Sequence, residues 1–575
     1  MATEMEEHAA AGENGAAVED VKPYRIHVSS RYLNLTKQKL EIARLPREPD
    51  EPKSKDWWQP KPQVEPLIDF WLEQYQWRDQ EEILNRLPQF RTGFTVPQSD
   101  SPIRIQFIHA RSSRANVIPL LLIPPFPFSS LSFGHLIKLF TDPEEANHQP
   151  FHLVIPSLPG LSFSDALPTN SAVISSTADL LDSLMKRLGY SFYLTTNAGA
   201  GASSPAQIDY KLADWLSTHY PDSCLGTHLI SPPLTQPRLQ KAPLAWVRWS
   251  IARFFEASIL GYRSDDFSAL RQDGSSKKSR TAAKSRPHKI GFTEPNTLAY
   301  ALCDSPTGLL VFMMKGLRLL APQKEFTPTE IINFAELAWL PGPESAMRFW
   351  AHCARHPEKT GKEPSKKPHV ALTVFLGGES RSSSGGNAQA GAGVLDETNP
   401  AYSCPGWANT RYKVLYTNRA SGKPGLLAWE RPEIIAAGVR GLSAAVLRVD
   451  KRLKPSGRPE VAPLAQVVAG AETATPGEQP SSPGPSGPQP GLLAPPNIGE
   501  RLQPLREVSD DTKVASNDTL PAKTPSPAPA TSGPDKSGPT PAVTTEGDQG
   551  KRASEPQVSD VKTDTVAVPK DTQQA

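Results

Sequence analysis

Two periodicities of apolar residues, alternation and helical spacing, divide the chain into elements from residue 22 onward. PYRIHVSS (Pro23–Ser30) alternates and predicts a short strand. RYLNLTKQKLEIARL follows, with apolar residues at helical spacing from Tyr32 to Leu45. Trp57 and Trp58 precede a second helix whose Leu67, Phe70, Trp71 and Tyr75 share one face. WRDQEEILNRLPQF predicts a third helix, stopped by Pro88. IRIQFIHAR then alternates as an antiparallel strand does, while VIPLLLIPPF and FHLVIPSLPG are continuous apolar runs. Such runs, bounded by Gly and Pro, are the pattern of strands buried on both faces.

Further on, VISSTADLLDSLMKRLG reads as a helix ending at a C-capping glycine, Gly189. The strand SFYLTT, the turn NAGAGASS and the helix SPAQIDYKLADWLSTHYP come next, with Ser203 or Ser204 as N-cap ahead of Pro205. The strand LGTHLISPP closes the unit. Helix–strand–turn–helix–strand is the repeat of a mostly parallel sheet with helices on both faces, an α/β architecture. Residues 235–350 are helix-rich without strand runs and read as a helical cap inserted into one sheet. VALTVFLGG and TRYKVLYTN resume the strands, and ERPEIIAAGVRGLSAAVLRV closes the domain near Asp450. The expected division is therefore an N-terminal extension over 22–100, a core in two parts (101–234 and 351–450) and the cap between them.

Composition changes the picture at the ends. From Lys451 to Ala575 there is no Phe, Trp or Tyr, and 21 of those 125 residues are Pro. Such a segment buries too little apolar surface to offset the entropy of ordering, so 451–575 is expected to be disordered, as is the acidic, small-residue stretch 1–21. A net charge of +2 from 62 basic and 60 acidic residues gives no field that points to nucleic acid. The basic insert Ser275–Lys289 reads as a solvated loop. Cys224, Cys303, Cys353 and Cys404 have no metal-type spacing and are expected as reduced, mostly packed thiols. No pattern calls for a metal or a cofactor. The N-terminus has no basic region followed by an apolar run, and Val117–Phe128 holds four prolines, so no membrane anchor is expected and the expected location is cytoplasmic.

Several segments, in order, resemble the microsomal and juvenile-hormone type of epoxide hydrolase: PYRIHV, QWRDQEEILNRLPQF, RIQFIHARSSRANVIPLLLIPPFPFS, PSLPGLSFSD, TLAYALCDSPTGLLVFMMKGL and GKPGLLAWERPE. The resemblance covers roughly 22–445. It implies an α/β-hydrolase fold with an epoxide-hydrolase N-terminal domain. It also implies a chemistry in which an Asp on the strand-to-helix turn attacks the epoxide and a His, oriented by an acid, activates water against the resulting ester. Two cap tyrosines and an H-G-x-P turn then serve the developing oxyanion.

Carried over residue by residue, that machinery is missing here. The nucleophile falls at Ala198 in Thr196-Asn197-Ala198-Gly199-Ala200, and a methyl group forms no ester. The base falls at Gly425, with Lys423 and Pro424 before it, and no His follows His369. The orienting acid corresponds to Glu379. The oxyanion turn becomes Pro124-Pro125-Phe126-Pro127, whose prolines offer no N–H. The cap tyrosines fall at Pro287 and Trp350. Ser203, Ser204 and Asp209 are the nearest polar groups to the vacant turn, the serines read as helix caps and Asp209 as solvated or salt-bridged. His152, His219 and His228, in or beside core elements, read as structural histidines.

Two functions stay open at this point. One is a pseudoenzyme that holds an apolar small molecule in the cap cleft or meets protein partners through its Pro-rich tail, where PSSPGPSGPQP is polyproline-like. The other is an epoxide hydrolase or esterase-type hydrolase acting through rearranged groups. A carboxylate or hydroxyl within about 3.2 Å of an imidazole at the cleft floor would favour the second.

Overall fold

The sheet predicted by the buried apolar runs is the frame of the molecule, seen here in a computed structural model that describes residues 21–453 except 51–57, 97–98, 200–203, 272–293, 320–323, 356–365 and 378–401. Its strands are β1 (Lys22–Pro23), β2 (Gln89–Phe94), β3 (Ile103–Ala110), β4 (Ile118–Ile123), β5 (Phe151–Pro156), β6 (Tyr193–Asn197), β7 (Cys224–Ile230), β8 (His369–Phe375) and β9 (Lys413–Ala420). They lie in the order β1-β2-β3-β5-β4-β6-β7-β8-β9. The first three strands are antiparallel to their neighbours, β3 with both β2 and β5, and every pairing from β5 to β9 is parallel. All residues of β4, β5 and β7 are buried, as continuous apolar runs require.

Two strand readings change. Of the predicted strand Pro23–Ser30 only Pro23 lies in the sheet, opposite Phe90, with Lys22 before it opposite Arg91 and the Tyr24 N–H donating to the Gln89 carbonyl (3.0 Å). From Arg25 onward the segment leaves the sheet, with the Ile26 backbone held by the Asn85 side chain and the Val28 N–H by Glu81. Strand β2, which the sequence reading missed, lies between this short edge strand and β3.

The helices are α1 (Ser30–Glu41), α2 (Lys61–Glu73), α3 (Trp77–Asn85), α4 (Ile137–Thr141), α5 (Val173–Arg187), α6 (Ile208–His219), α7 (Pro243–Phe255), α8 (Pro295–Asp304), α9 (Pro306–Leu319), α10 (Pro328–Trp339), α11 (Glu344–Arg355) and α12 (Pro432–Val449). Helices α7 to α11 fall between β7 and β8, where the cap was expected, and α11 runs past the expected boundary at 350. Helix α10 carries a capping box, with Thr327 accepting from the Glu330 N–H and Glu330 accepting from that of Thr327. The predicted helix after the glycine-rich turn starts late. Ala206 (φ 52°) and Gln207 (φ 56°) are left-handed, α6 begins at Ile208, and the Ser204 side chain makes no cap bond. Ser203 and the segments 1–20 and 454–575 lie outside the described residues. All four cysteines are thiols rather than disulfides.

A second apolar cluster joins the N-terminal segment to the cap. Ile26, Val64, Leu67 and Trp71 pack with Leu310, Met314, Ile332 and Leu337 of α9 and α10. Polar bonds in this layer pin its register. The Trp71 Nε1–H donates to Glu336 Oε1 (3.0 Å), the Tyr75 hydroxyl to Asn333 Oδ1 (2.7 Å) and the Trp339 Nε1–H to Thr36 Oγ1 (2.8 Å). Glu336 is buried, its Oε2 has no partner among the described residues, and desolvation pushes its pKa from 4.5 up to about 8.

The sign of this shift sets a pH dependence. The folded protein holds the Glu336 proton that the unfolded chain releases, so the stabilisation is complete below 4.5 and is lost as pH rises through about 8. Thermal melts of wild type and Glu336→Gln across that interval should diverge progressively, the wild type losing stability relative to the variant. Parallel curves would place the carboxyl in water.

Candidate functional site

The parallel strands end on one side of the sheet, and the segments expected to carry chemistry follow their C-terminal ends. Pro124–Pro127 follow β4, Ala198 follows β6 and Gly425 lies in the loop after β9. The crevice beyond such strand ends is where open α/β sheets place their sites.

Ala198 is buried at the end of β6, and its N–H donates to the Ile123 carbonyl of β4 (2.9 Å). The side chain of the preceding Asn197 ties two strands and a helix together. Its Oδ1 accepts from the Ile230 N–H (2.9 Å) and its Nδ2 donates to Asp209 Oδ2 (3.0 Å). Gly199 is wedged against this group. A Cβ there would stand 2.5 Å from Pro125 Cβ, 2.6 Å from Ser204 Oγ and 2.7 Å from Asp209 Oδ2, so the close approach requires glycine. The oxyanion-turn segment and the turn after β6 are therefore in contact.

The expectation for Asp209 is corrected. It is neither solvated nor salt-bridged but wholly buried in the first turn of α6, bonded to Asn197, with Oδ1 unpartnered among the described residues. Desolvation raises its pKa, opposed by the Asn197 hydrogen bond. Sequence patterning missed this burial because it follows from the close packing of Gly199 on Pro125 and Asp209, a contact that spacing does not report.

Phe126 and Trp350 meet face to face, ring centroids 5.6 Å apart and 13° from parallel, so the core turn and cap helix α11 touch through two apolar planes. Gly425 adopts φ 56°, a left-handed backbone that a side chain adopts only with strain. Pro287 and Glu379 lie outside the described residues.

Among the histidines, His228 has hydroxyls on both ring nitrogens, Thr196 Oγ1 at 3.0 Å and Thr373 Oγ1 at 2.8 Å. It lies under α12, where a Cβ on Gly438 would stand 2.1 Å from its Nε2, so it belongs to the interior rather than the cleft. Burial holds its pKa down at about 3. His152 Nδ1 accepts from the Ser112 N–H (3.1 Å), and its pKa is lowered to about 4 by burial and then by Arg111. His219 is exposed and stacks on Trp215 at 4.0 Å. One imidazole that sequence reading passed over stands beside the loop after β9. His135 Nε2–H donates to the Ala428 carbonyl (2.8 Å), the ring lies 5.7 Å from Trp429, and burial lowers its pKa. A lone His in SFGHL carries no spacing signal that could have singled it out.

The cleft between core and cap, lined by Phe128, Leu161, Met313, Phe334 and Met347, measures about 20 Å³, room for little more than a water. A wider groove of about 440 Å³ opens between α1, α2 and the α8–α9 corner. Among the described residues no group of three or more His, Cys, Asp or Glu could hold a metal ion.

Strand order, parallel register and the gathered loops define an α/β-hydrolase fold. Residues 21–133 match the family described as Epoxide hydrolase N terminus. Epoxide hydrolase 1 of Sus scrofa is 25% identical over 453 residues, 75% of this chain and 90% of that one. Juvenile hormone epoxide hydrolase 1 of Ctenocephalides felis is 25% identical over 299 residues, 51% of this chain and 59% of that one. The crystal structure of juvenile hormone epoxide hydrolase from the silkworm Bombyx mori superposes with a TM-score of 0.56 at 21% identity, covering 75% of this chain and 96% of that one. The match over residues 21–133 and these relatives together support a place in the epoxide hydrolase family.

The Asn197 side chain serves two buried partners at once. Asn197→Ala should cost about 1–3 kcal/mol in urea denaturation, because the Ile230 N–H and the Asp209 carboxyl would be left without it.

Proposed function

We propose that this protein is a catalytically silent member of its family, a pseudoenzyme whose retained capacity is binding. The observation that carries the reading is Ala198, a methyl group at the end of β6 where the family resemblance calls for a carboxylate nucleophile. Three features support it. Gly425, at the position of the base, carries no proton acceptor in its side chain. Pro124, Pro125 and Pro127 bring no N–H to the turn after β4. Trp350, at the position of a cap tyrosine, offers its ring plane to Phe126 rather than a phenol to an epoxide oxygen.

The ligand class that fits the lining is an apolar small molecule between core and cap, admitted by displacement of the cap, since the closed cleft holds about 20 Å³. Protein partners of the Pro-rich tail are the second kind of contact, and a cytoplasmic location accords with the cysteine usage.

Purified protein is expected to release no diol from styrene oxide or stilbene oxide above buffer background, read by chromatography. A heat-labile diol would overturn the reading. The paired change Ala198→Asp with Gly425→His is expected to give no multiple turnover, because the left-handed backbone at 425 strains a side chain and Phe126 still packs on Trp350. Intact-mass analysis after incubation with the epoxide separates a trapped ester from no reaction at all, and sustained diol formation would show that two positions alone had been lost.

A further inference from the structure

Helix α7 has two unlike faces, and only one of them is used. Trp249 and Ala252 are buried in a small cluster with Tyr262, Phe267, Cys404 and Trp407. Trp249 lies 5.8 Å from Phe267 in a stacked arrangement and 5.3 Å from Trp407 edge-on. Below the cluster Arg419 grips Asp266 with two hydrogen bonds of 2.8 and 2.9 Å. The helix is thus anchored along one side.

The opposite side is apolar and open. Leu244 is 78% exposed and Phe254 82%, and Val247, Ile251 and Phe255 are exposed with them. Positions 244, 247, 251, 254 and 255 fall on one stripe of a helix, about 100° wide. Leu239 before the helix and Leu260 after it extend the exposed apolar surface at both ends. A helix facing water carries polar residues on that side, so a continuous stripe of this kind marks a contact surface.

Charge identifies the partner. From Gln236 to Arg263 the chain carries five cations, Arg238, Lys241, Arg248, Arg253 and Arg263, and one acid, Glu256. All five cations are exposed, and Glu256 is paired with Arg271. Packing this face on a second copy would bring each set of cations against its equal, which the Coulomb term opposes. An anionic lipid surface satisfies both halves of the pattern, with leucine and phenylalanine in the acyl boundary and long basic side chains reaching back to phosphates. At 13 residues α7 is too short to span a bilayer and the right length to lie in its surface.

We propose that α7 is an interfacial helix that seats the protein on an anionic bilayer, its Leu244–Phe255 stripe entering the headgroup boundary and its flanking arginines and lysine meeting the phosphates. This contact is peripheral, distinct from a spanning anchor, and independent of whether the cleft is catalytic.

The test is flotation of the full chain with vesicles of phosphatidylcholine alone or with about 30% phosphatidylserine. Wild type should float with the anionic vesicles only, and raised salt should release it. Leu244→Asp with Phe254→Asp should weaken vesicle affinity at least about tenfold with thermal melting unchanged, because both side chains already face water. Arg248→Glu with Arg253→Glu should weaken binding and flatten its salt dependence, which keeps the test open if the first variant folds poorly. Failure of wild type to float with anionic vesicles would overturn the proposal. So would retention by the aspartate variant, which would place binding elsewhere in the chain. A wild-type dimer in sedimentation equilibrium that the aspartate variant dissociates would assign the face to a second copy instead.

Discussion

Strands β4, β5 and β7 have no solvent-facing residue, and that constraint organises everything around them. A sheet dry on both faces must be covered by helices on both, and its parallel register forces each crossover to leave from the same end. The turn after β4, the turn after β6 and the loop after β9 are therefore gathered at one edge whatever residues they contain. The dryness also governs the polar groups left inside. His228 survives in β7 because threonines of β6 and β8 occupy both of its nitrogens, and it does so uncharged, with its pKa down at about 3.

The same rule shapes the candidate site. Close packing of interior side chains extends into the turns after β4 and β6. Here Phe126 lies on Trp350, Gly199 sits against Pro125, and Asp209 turns inward to Asn197. Asp209 is the carboxyl nearest in sequence to the turn after β6. This carboxyl is wholly buried and engaged by the Asn197 amide, and burial raises its pKa.

Much of this was legible in the residues. The continuous apolar runs named β4 and β5 because burial on both faces leaves no polar positions, and IRIQFIHAR named an antiparallel strand because one of its faces tolerates Arg104. PYRIHVSS misled because alternation reports exposure, not pairing. Its backbone is satisfied by the side chains of Asn85 and Glu81 instead of a strand, and those partners stand more than fifty residues away. QFRTGF went unread because it is short, follows a helix closely and takes its meaning from β3. The start of α6 was misplaced for a related reason. Ser204 and Pro205 are good local initiation signals, yet with Gly199 packed close on Pro125 and Asp209, Ala206 and Gln207 are left-handed and stay outside the helix. The burial of Asp209 follows from that tertiary contact and could not be read from spacing.

The cap is held from two sides. On one, α9 and α10 contribute Met313 and Phe334 to the lining of a cleft with core residues, leaving about 20 Å³ between them. On the other, the same two helices pack on α1 and α2, with Trp71, Tyr75 and Thr36 hydrogen-bonded to Glu336, Asn333 and Trp339. A ligand larger than a water in that cleft would have to move α9 and α10 away from the core. Their opposite face is fastened to the N-terminal segment, so that segment has to move with them or release them. The polar bonds are directional and the apolar contacts beneath them are not, so movement as a unit preserves both while release sacrifices the bonds first. The N-terminal segment is thus fastened to the cap by an apolar layer and by directional hydrogen bonds at once.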